Sequence, residues 1–554
     1  MKHLKRFFMI LASAAFVFAA GCQNAQAAST TVAAETSATT TATAMSAVST
    51  AQTLSANSYT DRDLDASYDA SEAILVDLST VSGDYTITSE GVYVFSGTLS
   101  NGSILVNAGE NDKVQIVLSN ASITNSDGPA IYAVTADKVF ITAEAGTVNE
   151  LSDGTVYAAD SFGNSPDATI FSKCDLTING TGKLNVTGSY KFGIVGKDDV
   201  VIVNITLNVN AQSDGVVGKN SVSIGSGTVS VTAGGDGIVS ENSDDATLGN
   251  VLIDGGTISI ITGGANASSS KGIKAQTSLA INGGSITIDA EDDALHSASS
   301  LTVTGGTLVL SSGDDGMHSD DVLVISGGEV TISQSYEGIE ASAITVSGGV
   351  IQLTSSDDGF NAAGGADGSS MGGPRGNDSF AADSSKSLVI TGGTITVNAQ
   401  GDGLDSNGTL SIEGGTIYVS GPTNSGNGAL DSASTMTISG GVVIAAGSAG
   451  MAQGFDQTSS QLSISYTFTS AQAAGTTITL KDASGNTVAS YTPEKTFQNV
   501  IISAPGLSTG QSYTLYAGSS LVDTITLTGT VTTIGSSGMN GGFGGGQKSG
   551  GRHG

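Results

Sequence analysis

A phrase of four residues recurs through the middle of the chain at a nearly fixed interval, and few folds can hold such a pattern. From Ser270 to Ser432 it reads Lys271-Gly272-Ile273-Lys274, Asp293-Ala294-Leu295-His296, Asp315-Gly316-Met317-His318, Glu337-Gly338-Ile339-Glu340, Asp358-Gly359-Phe360-Asn361, Asp402-Gly403-Leu404-Asp405 and Gly428-Ala429-Leu430-Asp431. The small second residue advances in steps of 22, 22, 22, 21, 44 and 26, the 44 being taken as two periods. Between the phrases a Gly-Gly pair precedes alternating apolar residues, as at Gly283-Gly284, Gly305-Gly306, Gly327-Gly328 and Gly414-Gly415. A fixed period of about 20–50 residues means stacked units. The unit here is short alternating strands, such as Thr302-Val303-Thr304 and Thr307-Leu308-Val309-Leu310, broken by glycine turns. No helix-period run interrupts them, the leucine-rich-repeat frame is absent, and nonapeptide calcium rolls have the wrong spacing. The expected fold is all-β, a parallel β-helix with 22 residues per coil, in which equivalent residues of successive coils lie about 4.8 Å apart.

Stacking turns the phrase into a column, and the column is acidic. Its first position carries Asp293, Asp315, Glu337, Asp358 and Asp402, preceded by Asp292, Asp314 and Asp357 in three of these coils. Three residues on come His296, His318, Glu340, Asn361, Asp405 and Asp431. Carboxylates about 5 Å apart repel by roughly 1 kcal/mol in water and by several near a protein surface. Solvation, protonation or a bridging cation must relieve them. Hard oxygen ligands at this spacing suit Ca²⁺, which takes about 6–8 oxygens. The candidate ligands are Asp292, Asp293, Asp314, Asp315, Glu337, Glu340, Asp357, Asp358, Asn361, Asp402 and Asp405. The competing reading is a solvated acidic turn, since Asp before Gly favours turn geometry. The column traces back through Ala130, Gly193, Gly215 and Gly237, but there the fourth position is apolar, at Val195, Val217 and Val239. The acidic face is therefore expected only in the later coils.

The ends differ from the repeats. Lys2, Lys5 and Arg6 precede the apolar run Phe7 to Ala20 and the box Ala19-Ala20-Gly21-Cys22, which predicts a lipoprotein signal over 1–21 with Cys22 acylated. The box departs from the usual pattern at Ala19, and cleavage after Ala27 is the alternative. Losing three positive charges there takes the net charge from −32 to about −35. Residues 22–57 are Ala, Ser and Thr with little to bury, a tether. The β-helix is expected over 70–455, with an excursion at 363–386, an antiparallel β cap over 456–534 and a Gly-rich tail over 535–554. With Cys22 and Cys174 the only cysteines, no internal disulfide frames the protein, and Cys174 is expected in the core.

The acidic ladder, the Gly-Gly beat and the closing Gly447-Ser448-Ala449-Gly450-Met451-Ala452-Gln453 segment together resemble the bacterial β-helical carbohydrate-binding family of the clostridial cellulose- and pectin-binding surface type. The resemblance runs from about residue 70 to 530. It implies a right-handed parallel β-helix with a polysaccharide-lyase-like fold, bound calcium, and acidic polysaccharide or cellulose as partner. Three functions compete: a lipid-anchored, surface-exposed bacterial protein that binds polygalacturonate-like chains through Ca²⁺; a calcium-stabilised structural adhesin; and a polyuronate lyase with Lys271 or Lys274 as base. The expectation is a non-enzymatic monomer. Strong acidity argues against nucleic acid, and no Ser/His/Asp arrangement, phosphate loop or paired-Cys metal motif is present.

Overall fold

The structure, a computed structural model, describes residues 59–264, 269–363 and 382–535. The expected signal segment, Cys22, the tether, most of the 363–386 excursion and the Gly-rich tail beyond residue 535 lie outside the described residues.

Each strand of the repeats pairs in parallel with its counterpart in the next repeat. Ile273 pairs with Leu295, Leu295 with Met317, Met317 with Ile339 and Ile339 with Phe360. Leu279 pairs with Leu301 and then Leu323, and Ile286 with Leu308 and then Val330, on two further lines of strands. Among the described residues 41 strands join in this way into one continuous, mostly parallel sheet, the winding of a parallel β-helix. Alternation along each strand points every second side chain inward, so Leu295, Leu301, Leu308, Leu310 and their counterparts stack into one core. Each such side chain contributes on the order of 1.5–3 kcal/mol, so the chain closes its core without tryptophan and with few aromatics.

The register corrects one expectation. Phe360 pairs directly with Leu404, Asn361 with Asp405, Ile351 with Ile395, and Ile344 with Leu388. The step of 44 is one step of the register carrying an excursion, and no rung is missing between Asp358 and Asp402. Residues 363–386 lack the alternating apolar residues that another coil would need to fill the core.

Glycine serves two purposes in the Gly-Gly pairs. The second member has φ between 85° and 94° at Gly284, Gly306, Gly328, Gly349, Gly393, Gly415 and Gly441, where a side chain is strained. The first lies under the preceding coil, where a Cβ on Gly305 would fall 2.6 Å from the carbonyl oxygen of Asn282.

Two segments frame the coils. The short helix Asp61–Leu64, capped by Thr60, lies against them through Asp63, whose buried carboxylate meets Lys138 Nζ at 2.7 Å and Thr177 Oγ1. After the last coil Val442–Gly447 pairs antiparallel with Phe497–Ser503, beside a separate four-stranded antiparallel sheet. Ile444, Phe468, Phe497 and Leu515 share a second apolar core there. Cys174 is buried with a free thiol.

Candidate metal centre along the acidic column

Strand pairing places the phrase residues in line, and the first-position carboxylates bind the backbone along that line. The N–H of Asp315 donates to Asp293 Oδ1 at 3.1 Å, that of Glu337 to Asp315 Oδ1 at 3.3 Å, and that of Asp402 to Asp358 Oδ1 at 2.6 Å. The N–H of Gly428 donates to Asp402 Oδ1 in the same way. This use begins earlier than expected: the N–H of Asp236 donates to Asp214 Oδ1 at 2.9 Å, and that of Lys271 to Asp236 Oδ1 at 2.7 Å. The first position thus carries acid from Asp214 to Asp402 with Lys271 interposed, whereas the fourth position turns polar only from Lys274 onward. Aspartate at the first position is an axial hydrogen-bonding device, and each of these carboxylates keeps a second oxygen for other work.

The column glycines have a different role from the one their turn position suggests. Gly316, Gly338, Gly359 and Gly403 have no positive φ. A Cβ on Gly359 would fall 2.5 Å from the carbonyl oxygen of Gly403, and one on Gly338 would fall 2.3 Å from that of Gly359. Close approach between rungs, not a tight turn, selects the small residue.

The column divides by how its charge is balanced. In the upstream part, Lys271 Nζ lies 2.6 Å from Asp293 Oδ2 and 3.1 Å from Asp292 Oδ2. His296 Nδ1 lies 2.9 Å from Asp293 Oδ2. His318 Nδ1 lies 3.0 Å from Asp315 Oδ2 and 2.9 Å from Glu340 Oε2, while its Nε2 faces Asp320 Oδ1 at 3.2 Å. The two imidazoles stack with centroids 5.0 Å apart. Burial disfavours the His318 cation, but hydrogen bonds to Asp315, Asp320 and Glu340 outweigh it and hold the ring protonated far above the usual histidine range. Burial likewise opposes ionisation of Asp293, yet the His296 hydrogen bond and the charges of Lys271, His318 and His296 pull its carboxyl below the usual range.

Burial, with the charges of Asp293 and Glu340, still raises Asp315 well above the ordinary carboxyl value against its His318 hydrogen bond, and farther downstream the compensation ends. Burial, then the charges of Asp315 and Glu340, raise Glu337 well above the ordinary carboxyl value. Burial, then the charges of Asp402, Glu337 and Asp405, do the same to Asp358. Burial raises Asp402 to about 7, aided by Asp431 and Asp357 against the Gly428 hydrogen bond. Among the described residues no Lys, Arg or His forms an ion pair with Glu337, Asp358 or Asp402. Asn361, in register between Glu340 and Asp405, donates from Nδ2 to Glu337 Oε2 at 2.8 Å. Its Oδ1 is buried with no hydrogen-bond partner among the described residues.

The eleven candidate ligands therefore fall into three groups. Asp292, Asp293 and Asp314 bring ligand oxygens within 4.8 Å of one another, beside Lys271. Asp315 and Glu340 converge with His318 within the same limit. Asp402 and Asp405 converge with Asp431 within that limit, while Glu337, Asp358 and Asn361 occupy the rungs between and Asp357 lies beside them. His318 and Asp431 were visible in the repeat but absent from the candidate set. A further trio, Asp175, Asp198 and Asp199, sits on earlier strands outside the repeat phrase and had no sequence signal.

The fourth-position line also shows what precedes the acid. Tyr132 is in register with Phe171, Phe171 with Val195, Val195 with Val217, Val217 with Val239, Val239 with Lys274, and Lys274 with His296. One line of the sheet thus runs from aromatic through aliphatic to polar side chains. Fold and site together define an all-β protein of stacked parallel strands with a charged column along one line.

Residues 81–267 and 261–316 match the family described as carbohydrate-binding domain-containing protein. A carbohydrate-binding domain-containing protein of Acetivibrio thermocellus is 37% identical over 135 residues, which are 24% of this chain and 47% of that protein, so the chain spans about half the length of that relative. A solved polysaccharide lyase-like protein from C. thermocellum, a gadolinium derivative, is 31% identical, with a TM-score of 0.38, over 46% of this chain and 96% of that one. The matched residues are thus similar to a carbohydrate-binding domain family, the class that the resemblance implied. Glu337 to Asp431 lie beyond the residues matched to the family.

Proposed function

We propose that the protein binds polysaccharide through calcium held on the downstream part of the acidic column, by Glu337, Asp358, Asn361, Asp402 and Asp405. The observation that carries this reading is Asn361 Oδ1, a buried neutral oxygen with no hydrogen bond among the described residues, set among carboxylates that raise one another's pKa. A buried acceptor left without a donor costs about 1–3 kcal/mol, and a hard dication offsets that cost while relieving the repulsion. The upstream residues fit the ion less well: Lys271 already neutralises Asp292 and Asp293, and His318 bridges Asp315 and Glu340.

Bound calcium would supply positive charge on a chain of net charge −32, which is what a polyuronate carboxylate requires in order to approach. The column's residues hold that charge at fixed height on a rigid stack, and their axial hydrogen bonds keep the oxygens in place. The reading includes a right-handed winding of 22 residues per coil, in keeping with the hand of nearly all parallel crossovers, a monomer, and an exported form acylated at Cys22. It assigns the protein no bond cleavage, a reading supported by the burial of Lys271 in ion pairs and by Lys274 Nζ facing Asp236 Oδ2 at 3.6 Å.

Retention on immobilised polygalacturonate in calcium and in chelator tests the reading. Retention in calcium that chelator abolishes is expected. Equal retention in both would remove the metal from the reading, and failure to retain polygalacturonate or cellulose under either condition would remove the polysaccharide.

A further inference from the structure

We infer that a cleft at the aromatic end of the same line of strands binds a neutral sugar chain; this rests on the polysaccharide reading above and adds a second site to it. The cleft has a volume of about 390 Å³, inside the range of about 300–1,000 Å³ found for small-ligand sites. Its walls include Tyr132, Tyr157 and Phe162, and its rim carries Asp84, Asn101 and Asp127. It lies within residues 81–267, which match the carbohydrate-binding family, and precedes the acidic column by several coils.

The segment that forms one wall is held in place from within. Asp160 accepts from the N–H of Phe162 at 3.1 Å and of Asn164 at 2.5 Å, and the Tyr132 hydroxyl donates to it at 3.2 Å. Asn164 Nδ2 donates to the Tyr132 hydroxyl at 2.7 Å, and the N–H of Ala158 to the Asp127 carbonyl at 2.7 Å. Tyr157 donates to Asp153 Oδ2 at 2.8 Å and stacks on Tyr190 with centroids 4.5 Å apart. This network fixes Phe162 edge-on to Tyr132 at 5.9 Å while leaving it 41% exposed. Holding a large apolar ring in water beside a cavity does nothing for the core; a ligand with an apolar face gives it a use.

A pyranose has that face. Its axial C–H groups pack on aromatic rings, and its equatorial hydroxyls donate to carboxylates and amide oxygens such as those of Asp84, Asp127 and Asn101. The charge of the lining selects among sugars: Asp84, Asp127 and Asp160 line the cleft, and no Lys, Arg or His does so among the described residues. A uronate would meet carboxylate repulsion there, whereas a neutral chain would not. The wall is ordered before the ligand arrives, which lowers the ordering cost of binding.

Calorimetry with cellohexaose, xylohexaose and mannohexaose, beside polygalacturonate in calcium, tests this on the full chain. At least one neutral hexamer should bind the wild type. Phe162→Ala should weaken it about tenfold or more and Asp127→Asn several-fold, with polygalacturonate binding and melting temperature unchanged. Undiminished neutral-sugar binding in both variants, or none of the three hexamers bound by a wild type that still binds polygalacturonate, would overturn the cleft and leave the polysaccharide reading standing. Loss of every ligand by the wild type would sink both.

Discussion

Lys271 Nζ lies 2.6 Å from Asp293 Oδ2, and the two side chains are only 5% and 1% exposed. The ammonium stands in the column position that carboxylates occupy on the flanking rungs, so the upstream acid is balanced by the chain itself. Lys271→Met keeps the length of the side chain and removes its charge, leaving Asp293 buried with less compensation. Breaking a buried pair from one side costs about 3–5 kcal/mol. The denaturant midpoint should fall accordingly, with calcium unable to restore it. A cost below about 1 kcal/mol, the level of exposed pairs, would mean that Asp293 is not held as an ion by Lys271.

Asp402 gives the downstream part a pH signature. Its folded value, about 7, lies above the ordinary 3.8, so the folded state binds this proton more tightly than the unfolded chain does. The stability this confers is complete below about pH 3.8 and is lost as pH rises through about 7. In chelator, unfolding midpoints should therefore decline across that window, and Asp402→Asn should flatten part of the decline. Calcium should oppose it by favouring the ionised carboxylate. An identical slope in wild type and variant would leave Asp402 an ordinary acid.

Much of this was legible in the sequence because stacking makes spacing and geometry the same thing. Residues 22 apart, such as Leu295 and Met317, are neighbours, so the repeat could be read as a column. The split within the column was not legible, because charge balance depends on which way side chains turn. In the sequence Lys271 is only a candidate base, and its ammonium is seen as a counter-charge once it is found folded against Asp292 and Asp293. The excursion misled for a different reason: an insertion of about one period cannot be told from a degenerate coil by spacing alone, and only the pairing of Phe360 with Leu404 decides it. The helix Asp61–Leu64 was missed because four residues leave no periodicity, although Thr60 and Asp63 have capping-box spacing.

Catalysis has a direct assay. Incubation with polygalacturonate and calcium should give no rise in ultraviolet absorbance from an unsaturated uronide. Lyase chemistry needs a base near the sugar C–H, and the buried ion pairs of Lys271 leave it unsuited to that task. A rise that Lys271→Ala or Lys274→Ala abolishes would establish a lyase.

The proposed anchor rests on one thiol. In that reading the Cys22 thiol is the acyl acceptor, so Cys22→Ser should move the protein from membranes into the soluble fraction. Unchanged membrane association would rule out lipidation at this residue.

The metal reading stands or falls on Asn361. Two substitutions separate its contributions. Asn361→Leu removes the unpartnered Oδ1 and the hydrogen bond to Glu337 together, while roughly keeping the volume. It should weaken calcium binding at least about tenfold, the equivalent of about 1.4 kcal/mol. Asn361→Asp keeps an oxygen at the position and adds a negative charge beside Glu340 and Asp405. It should hold or strengthen calcium binding while lowering stability in chelator, since another like charge enters an uncompensated group. Upstream, Asp293→Asn should leave calcium affinity unchanged, because Lys271 and His296 already serve that carboxylate. For the wild type, calcium at about a hundredfold over its dissociation constant should add about 2.7 kcal/mol to stability, seen as a higher melting temperature than in chelator. Identical melting curves in calcium and chelator, with no metal found by elemental analysis, would return Glu337, Asp358 and Asp402 to protonated carboxyls sharing a buried line.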